Sequence, residues 1–136
     1  MMNQETKTKR PRFKINESGY HRSAKKILAE WVNGIIEQPF CVDGKTVFIP
    51  DVTCYKNGII DCVYEVVYSH PLTGKKYGLI QYFCYREVKE LTVFEISADF
   101  ILRQTKKPER LETIECYTVN PFEYEGIDDC LIKSIS

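Results

Sequence analysis

Apolar residues recur at helical spacing early in the chain, at Tyr20, Ala24, Ile27, Leu28, Trp31, Val32, Ile35 and Ile36. With Asn16 or Ser18 as N-cap and Pro39 as the stop, this stripe predicts a helix running to about Glu37, with Gly34 its weakest position. Asp43-Gly44 marks a turn. The pattern then changes: 46–54 and 59–69 are rich in Val, Ile, Tyr and Cys and are joined by Lys56-Asn57-Gly58, a hairpin signal. From Thr73-Gly74 the helical period returns over 74–88 through Tyr77, Ile80, Phe83 and Cys84, against the cost of Gly78. "LTVFEIS", 91–97, reads as a third strand. A strand, helix, strand order implies a crossover, so this strand should run parallel to 59–69. "ADFILRQ" continues as a short helix ended by Pro108, and "ETIECYTV" as a last edge strand. The fold class is therefore α/β, a mixed sheet flanked by helices, without internal repeats.

Composition narrows the class. At 136 residues, 43% hydrophobic and 28% charged, the chain suits one globular domain. We expect a disordered basic arm over 1–14, a single domain over 15–119 and an acidic tail over 120–136. Lys7, Lys9, Arg10, Arg12 and Lys14 stand against Glu5 at the start, and six acids against Lys133 from 112 onward. No uncharged apolar run reaches the roughly 18 residues of a membrane span, and the first residues lack a secretory apolar region, so a cytoplasmic, membrane-free setting is expected. The six cysteines never form CxxC, and several lie in apolar runs where free thiols behave as small hydrophobes. Zero net charge supplies no global argument for nucleic acid.

Two acids interrupt the hairpin's apolar runs, Asp51 after Pro50 and Glu65 in the second strand. Ionised carboxylates are costly to bury without compensation, so the pair signals a metal site, a buried salt bridge or a misread face. Register decides whether they meet. A two-residue Asn57-Gly58 loop pairs Asp51 with Tyr64 and sends Glu65 to the other face. A three-residue loop pairs Asp51 with Val63 and leaves Glu65 a same-face diagonal neighbour about 7–8 Å away. A bulge in either strand can achieve the same. The chemistry favours the three-residue loop.

The order Pro50-Asp51, then Glu65, then a basic residue resembles the PD-(D/E)XK nuclease superfamily. The flanking segments "ESGYHRSAKKIL", "YEVVYSHPLTGKK" and "VFEIS" are similar to its competence CoiA-like branch. Glu17, His21, Lys25, Asp51, Glu65, Ser69-His70, Lys76 and Glu95 match that branch in order, across residues 17–99. The resemblance implies a restriction-endonuclease-like fold and a small metal-dependent nuclease acting on DNA or RNA, alone, as a homodimer or with a partner protein. Asp51, Glu65, the Val66 carbonyl and Glu17 would hold Mg²⁺ or Mn²⁺, hard cations suited to oxygen ligands. Lys76 would position or activate water, with His70 beside it, and His21 and Lys25 would meet substrate phosphate.

One departure stands out: Val67 occupies the usual lysine position, with Lys76 as the replacement and Lys75 its neighbour. That departure favours an alternative, a catalytically inactive binder of nucleic acid, nucleotide or protein, such as a phage or mobile-element factor. Glu95 is read as structural, and the tyrosines as core residues rather than base-stacking platforms.

Overall fold

The computed structural model describes residues 19–68 and 74–124. Helix α1, Gly19–Val32, buries Ala24, Lys25, Leu28 and Ala29. It ends five residues before the expected Glu37. Asn33 turns into the left-handed region at φ 55°, and the Gly34 N–H donates to the Ala29 carbonyl at 2.8 Å, the six-residue closure of a helix C-terminus. A Cβ at position 34 would stand 2.4 Å from Val52 Cγ1, so glycine is what lets the chain pass. Beyond it, β1, Ile35–Ile36, pairs antiparallel with Val52 and Thr53, and this pairing stops the helix.

The apolar run 46–54 is not one strand. Strands β2, Phe40–Val42, and β3, Lys45–Phe48, form a separate two-stranded hairpin. Asp43 and Gly44, at φ 51° and 78°, make the tight turn between them. Ile49-Pro50-Asp51 then redirects the chain into β4, Val52–Lys56. Proline has no N–H to donate to a ladder, so the break falls where the buried Pro50 stands.

Strand β5, Ile59–Val67, pairs antiparallel with β4. Helix α2, Gly74–Glu87, leads to β6, Leu91–Ser97, which lies parallel to β5 as expected. Helix α3, Ala98–Arg103, follows at once, with the Ser97 hydroxyl capping the Phe100 N–H. Strand β7, Thr113–Val119, closes the edge antiparallel to β6. The fold is α/β, a mixed five-stranded sheet in the order β1-β4-β5-β6-β7 flanked by helices.

Two apolar clusters hold the layers together. Ile80, Phe83 and Leu79 of α2 meet Val63, Leu91 and Val93 together with the small hairpin, where Phe40, Phe48 and Phe83 pack ring against ring at 4.9–5.7 Å. Leu28 of α1 and Ile101 of α3 meet Val52, Val66 and Ile96. Each fully buried Leu or Ile contributes about 1.5–3 kcal/mol. Residues 120–124, expected in an acidic tail, pack instead. The Tyr124 ring lies 4.9 Å from Tyr85 and 5.6 Å from Tyr82, and Glu123 accepts from the Tyr77 hydroxyl. Among the described residues no helix is long and apolar enough to cross a membrane.

Candidate metal and hydrolytic site

The turn of the β4–β5 hairpin is the two-residue form, not the three-residue loop the chemistry favoured. Lys56 pairs with Ile59, and Asn57 and Gly58 sit at φ 56° and 78°, a type I′ turn. Asp51 and Glu65 nevertheless meet, because the ladder slips by one residue. Tyr55 pairs with Ile60 but Cys54 with Cys62, leaving Asp61 as the bulge. Val52 then faces Tyr64, and one step further Asp51 is level with Glu65. The bulge achieves what a longer loop was expected to do.

The two acids hold each other's strands crosswise. The Asp51 N–H donates to Glu65 Oε2 at 3.2 Å, and the Val66 N–H donates to Asp51 Oδ2 at 2.7 Å. Each carboxylate thus completes a backbone hydrogen bond at a point where the chain, fresh from Pro50, has not yet entered the regular ladder.

Two lysines compensate the charge, one from each helix layer. Lys76, in the first turn of α2, donates to Glu65 Oε1 at 2.6 Å and to the Ile49 carbonyl at 3.2 Å. Lys25, from α1, lies 2.6 Å from Glu37 Oε2 and 3.6 Å from Asp51 Oδ1. His21, one turn earlier, has Nε2 2.7 Å from the Val66 carbonyl and 3.9 Å from Asp51 Oδ2. Burial is graded: the Lys25 and Glu65 side chains are 6% and 7% exposed, Asp51 14%, His21 22% and Lys76 29%. Of the two lysines, Lys76 is therefore the one with access to a substrate.

Burial and the neighbouring Asp51 charge push the Glu65 carboxyl up to about 7, with Lys76 and the Asp51 N–H opposing the rise. Near neutral pH that group sits between its two protonation states. Like-charge pairs held close in a low-dielectric site commonly behave this way at functional sites.

The expected residues are thus distributed unevenly. Asp51, Glu65, Lys76, His21, Lys25 and the Val66 carbonyl are gathered around one end of the hairpin. Glu17 and His70 lie outside the described residues. Lys25, expected to meet substrate phosphate, is buried between Glu37 and Asp51. His21 is engaged with the carbonyl expected to ligate metal. Glu37 escaped notice in the sequence because nothing in its spacing shows that a strained position at φ 53° turns it toward Lys25.

Among the described residues no three His, Cys, Asp or Glu side chains come together as a metal-ligating group. Asp51 and Glu65 provide two carboxylates, a set that suits Mg²⁺, which binds through one or two carboxylates and retains waters. Burial is the larger cause of the raised Glu65 carboxyl and the Asp51 charge the second, and a divalent cation held by this pair of oxygen donors would offset the latter.

Glu95 is the next acid across the sheet. It is the parallel-strand partner of Glu65 and only 3% exposed. Its Oε2 accepts from the Tyr117 hydroxyl at 3.2 Å, while Oε1 has no partner among the described residues. Comparison of the chain with family models, curated proteins and solved structures returns no match.

Proposed function

We propose that the protein is a small nuclease of the PD-(D/E)XK type, related in pattern to the competence CoiA-like branch, that hydrolyses phosphodiester bonds in DNA or RNA with Mg²⁺ or Mn²⁺. The observation that carries this reading is the meeting of Asp51 and Glu65 at one end of the β4–β5 ladder with Lys76 hydrogen-bonded to Glu65.

Asp51 and Glu65 would hold the cation, which would supply Lewis acidity and a water of lowered pKa. The Lys76 ammonium, anchored on Glu65 and the Ile49 carbonyl, occupies the place of the missing lysine at Val67 and orients the attacking water by hydrogen bonding. Lys25, almost fully buried, stands 3.6 Å from Asp51 Oδ1 and offsets its charge on the helix α1 side. His21 holds the Val66 backbone, and with it the N–H that orients Asp51. Substrate phosphate falls to groups on the exposed side, of which Lys76 is one.

One observation favours a second reading, a binder of nucleic acid on the same fold without turnover. Lys25 and Lys76 already stand against Asp51 and Glu65, so each of the two carboxylates has an ammonium group beside it where a cation would bind. A cleavage panel of single-stranded DNA, duplex DNA and RNA with Mn²⁺, Mg²⁺ or chelator separates the two. Metal-dependent cleavage lost in Asp51→Ala is the expected result. Tight binding of the same oligonucleotides without turnover selects the binder, and neither activity overturns both.

A further inference from the structure

In the middle of the same ladder, beside the bulge, two thiols face one another. Cys54 of β4 and Cys62 of β5 are direct antiparallel partners, both buried at 9% and 8% exposure. Directly opposed residues in an antiparallel pair have Cα atoms about 4.5–5.5 Å apart, inside the roughly 4.4–6.8 Å window of a disulfide. Both thiols are free. Cys54 Sγ also donates to the Val32 carbonyl at 3.8 Å, so its thiol is held between the end of α1 and Cys62. The other described cysteines are on different elements: Cys41 on β2, Cys84 on α2, and Cys116 on β7, which β6 separates from Cys62.

We infer that Cys54 and Cys62 are a reversible disulfide site, oxidised by hydrogen peroxide or a similar small peroxide, whose closure pins the bulged register that sets Asp51 level with Glu65. The cross-link would enclose Tyr55 to Asp61, which contains both the type I′ turn and the bulge residue. That segment decides the pairing of everything beyond it. A one-residue slip would send Glu65 to the other face.

The chemistry balances with peroxide as the only co-reactant. The Cys54 thiolate attacks one peroxide oxygen, the O–O bond breaks, and the departing hydroxide takes up a proton as water, leaving a sulfenic acid. The Cys62 sulfur then attacks Cys54 Sγ as its thiol proton is given up to the departing oxygen, the S–O bond breaks and a second water leaves. Two thiols lose two electrons and two protons, and peroxide is reduced to two waters. The order of attack follows from the pairing of the two thiols. The neighbouring Cys62 thiol holds the Cys54 thiol down, while Cys54, with burial adding to it, pushes Cys62 up. A transient, peroxide-driven disulfide is the form expected where thiols are otherwise kept reduced.

The test is a digest. Lys56 lies between the two cysteines, so trypsin separates peptide 46–56, holding Cys54, from 57–75, holding Cys62, and neither carries another cysteine. After peroxide treatment of the full chain, blocking of residual thiols and non-reducing digestion, the two peptides should appear as one species. Its mass should be their sum less two hydrogens, and reductant should split it. The link should vanish in Cys54→Ser and persist in a Cys41→Ser, Cys116→Ser double variant. The oxidised chain should melt a few degrees above the reduced chain, as a cross-link fitted to the native register requires. Recovery of both peptides with blocked thiols, linkage to another cysteine, or oxidation that lowers the melting temperature overturns the proposal. None of these readouts depends on nuclease activity.

Discussion

Glu65 and Glu95 are neighbours in register on parallel strands, and both are almost wholly buried, yet their surroundings differ. Glu65 faces a second carboxylate, accepts from a backbone N–H and meets an ammonium 29% exposed to solvent. Glu95 has a phenol on one oxygen and nothing among the described residues on the other. Burial alone does not make a carboxylate chemically useful. Glu65 stands at the end of the β4–β5 ladder, where Pro50 has opened the sheet and helix α2 brings a lysine. Glu95 lies one strand further in, covered by Tyr117, whose hydroxyl is itself pushed upward by burial and by the adjacent carboxylates.

The strongest way to sharpen that contrast is to remove the partner Glu95 lacks. On the proposed function, Asp51→Ala should lower metal-dependent cleavage by about 10³-fold, since it removes one of the two carboxylates proposed to hold the ion and leaves Lys25 without one of its carboxylates. Single-turnover cleavage with Mn²⁺ reads this. An unchanged rate would place the chemistry elsewhere.

Next in size is a pH effect that Glu65 should show. Its folded-state carboxyl is raised from 4.5 to about 7, so the folded protein binds that proton more tightly than the unfolded chain. The associated stability is fully present below about pH 4.5 and is lost as pH rises through about 7, amounting to on the order of 3 kcal/mol. Urea unfolding of metal-free protein at pH 5.5 and pH 8 should therefore show a stability loss in the wild type that is largely absent in Glu65→Gln. Mn²⁺ should restore stability at pH 8 in the wild type only. Equal pH slopes in the two proteins would mean that Lys76 keeps Glu65 ionised throughout.

Lys76 should separate binding from chemistry. Lys76→Ala removes the ammonium from Glu65, so cleavage should fall about 10²-fold while Mn²⁺ binds at least as tightly, a cation having left the site. Calorimetric titration with Mn²⁺ beside turnover measurements reads both. Weaker Mn²⁺ binding would make Lys76 a support of the metal site rather than the group that orients water.

Much of this arrangement was legible in the chain and some was not, for reasons that lie in specific residues. The hairpin, the parallel strand 91–97, helix α2 and the edge strand follow from local patterns strong enough to survive packing. The end of α1 does not, because Ile35 and Ile36 continue the helical stripe and only their pairing with Val52 and Thr53 makes them a strand. The break at Pro50 carried a signal in the proline itself, which a long apolar run obscured. The Asp61 bulge has no local signature: its charge at a ladder position is ordinary at an exposed hairpin end, and its effect on Asp51 is felt ten residues and one strand away. Lys25 shows the same limit, since a lysine beside an apolar stripe reads as a solvated flank until Glu37 and Asp51 are known to close over it.

The smallest expected effect bears most directly on Glu95. If this carboxylate is structural, its role ends with Tyr117. Tyr117→Phe alone would leave both Glu95 oxygens buried without a partner and should cost about 1–3 kcal/mol. Adding Glu95→Met removes the orphaned group, fills the site with a flexible apolar side chain and should return stability to within about 1 kcal/mol of the wild type. Cleavage by the double variant should stay within about threefold of the wild type, because a ΔΔG‡ below about 1 kcal/mol is all that a neighbour outside the reacting groups accounts for. A loss approaching that of Asp51→Ala, with stability intact, would instead make Glu95 a third metal-holding carboxylate. The distinction between the two glutamates would then rest on distance from the lysine rather than on role.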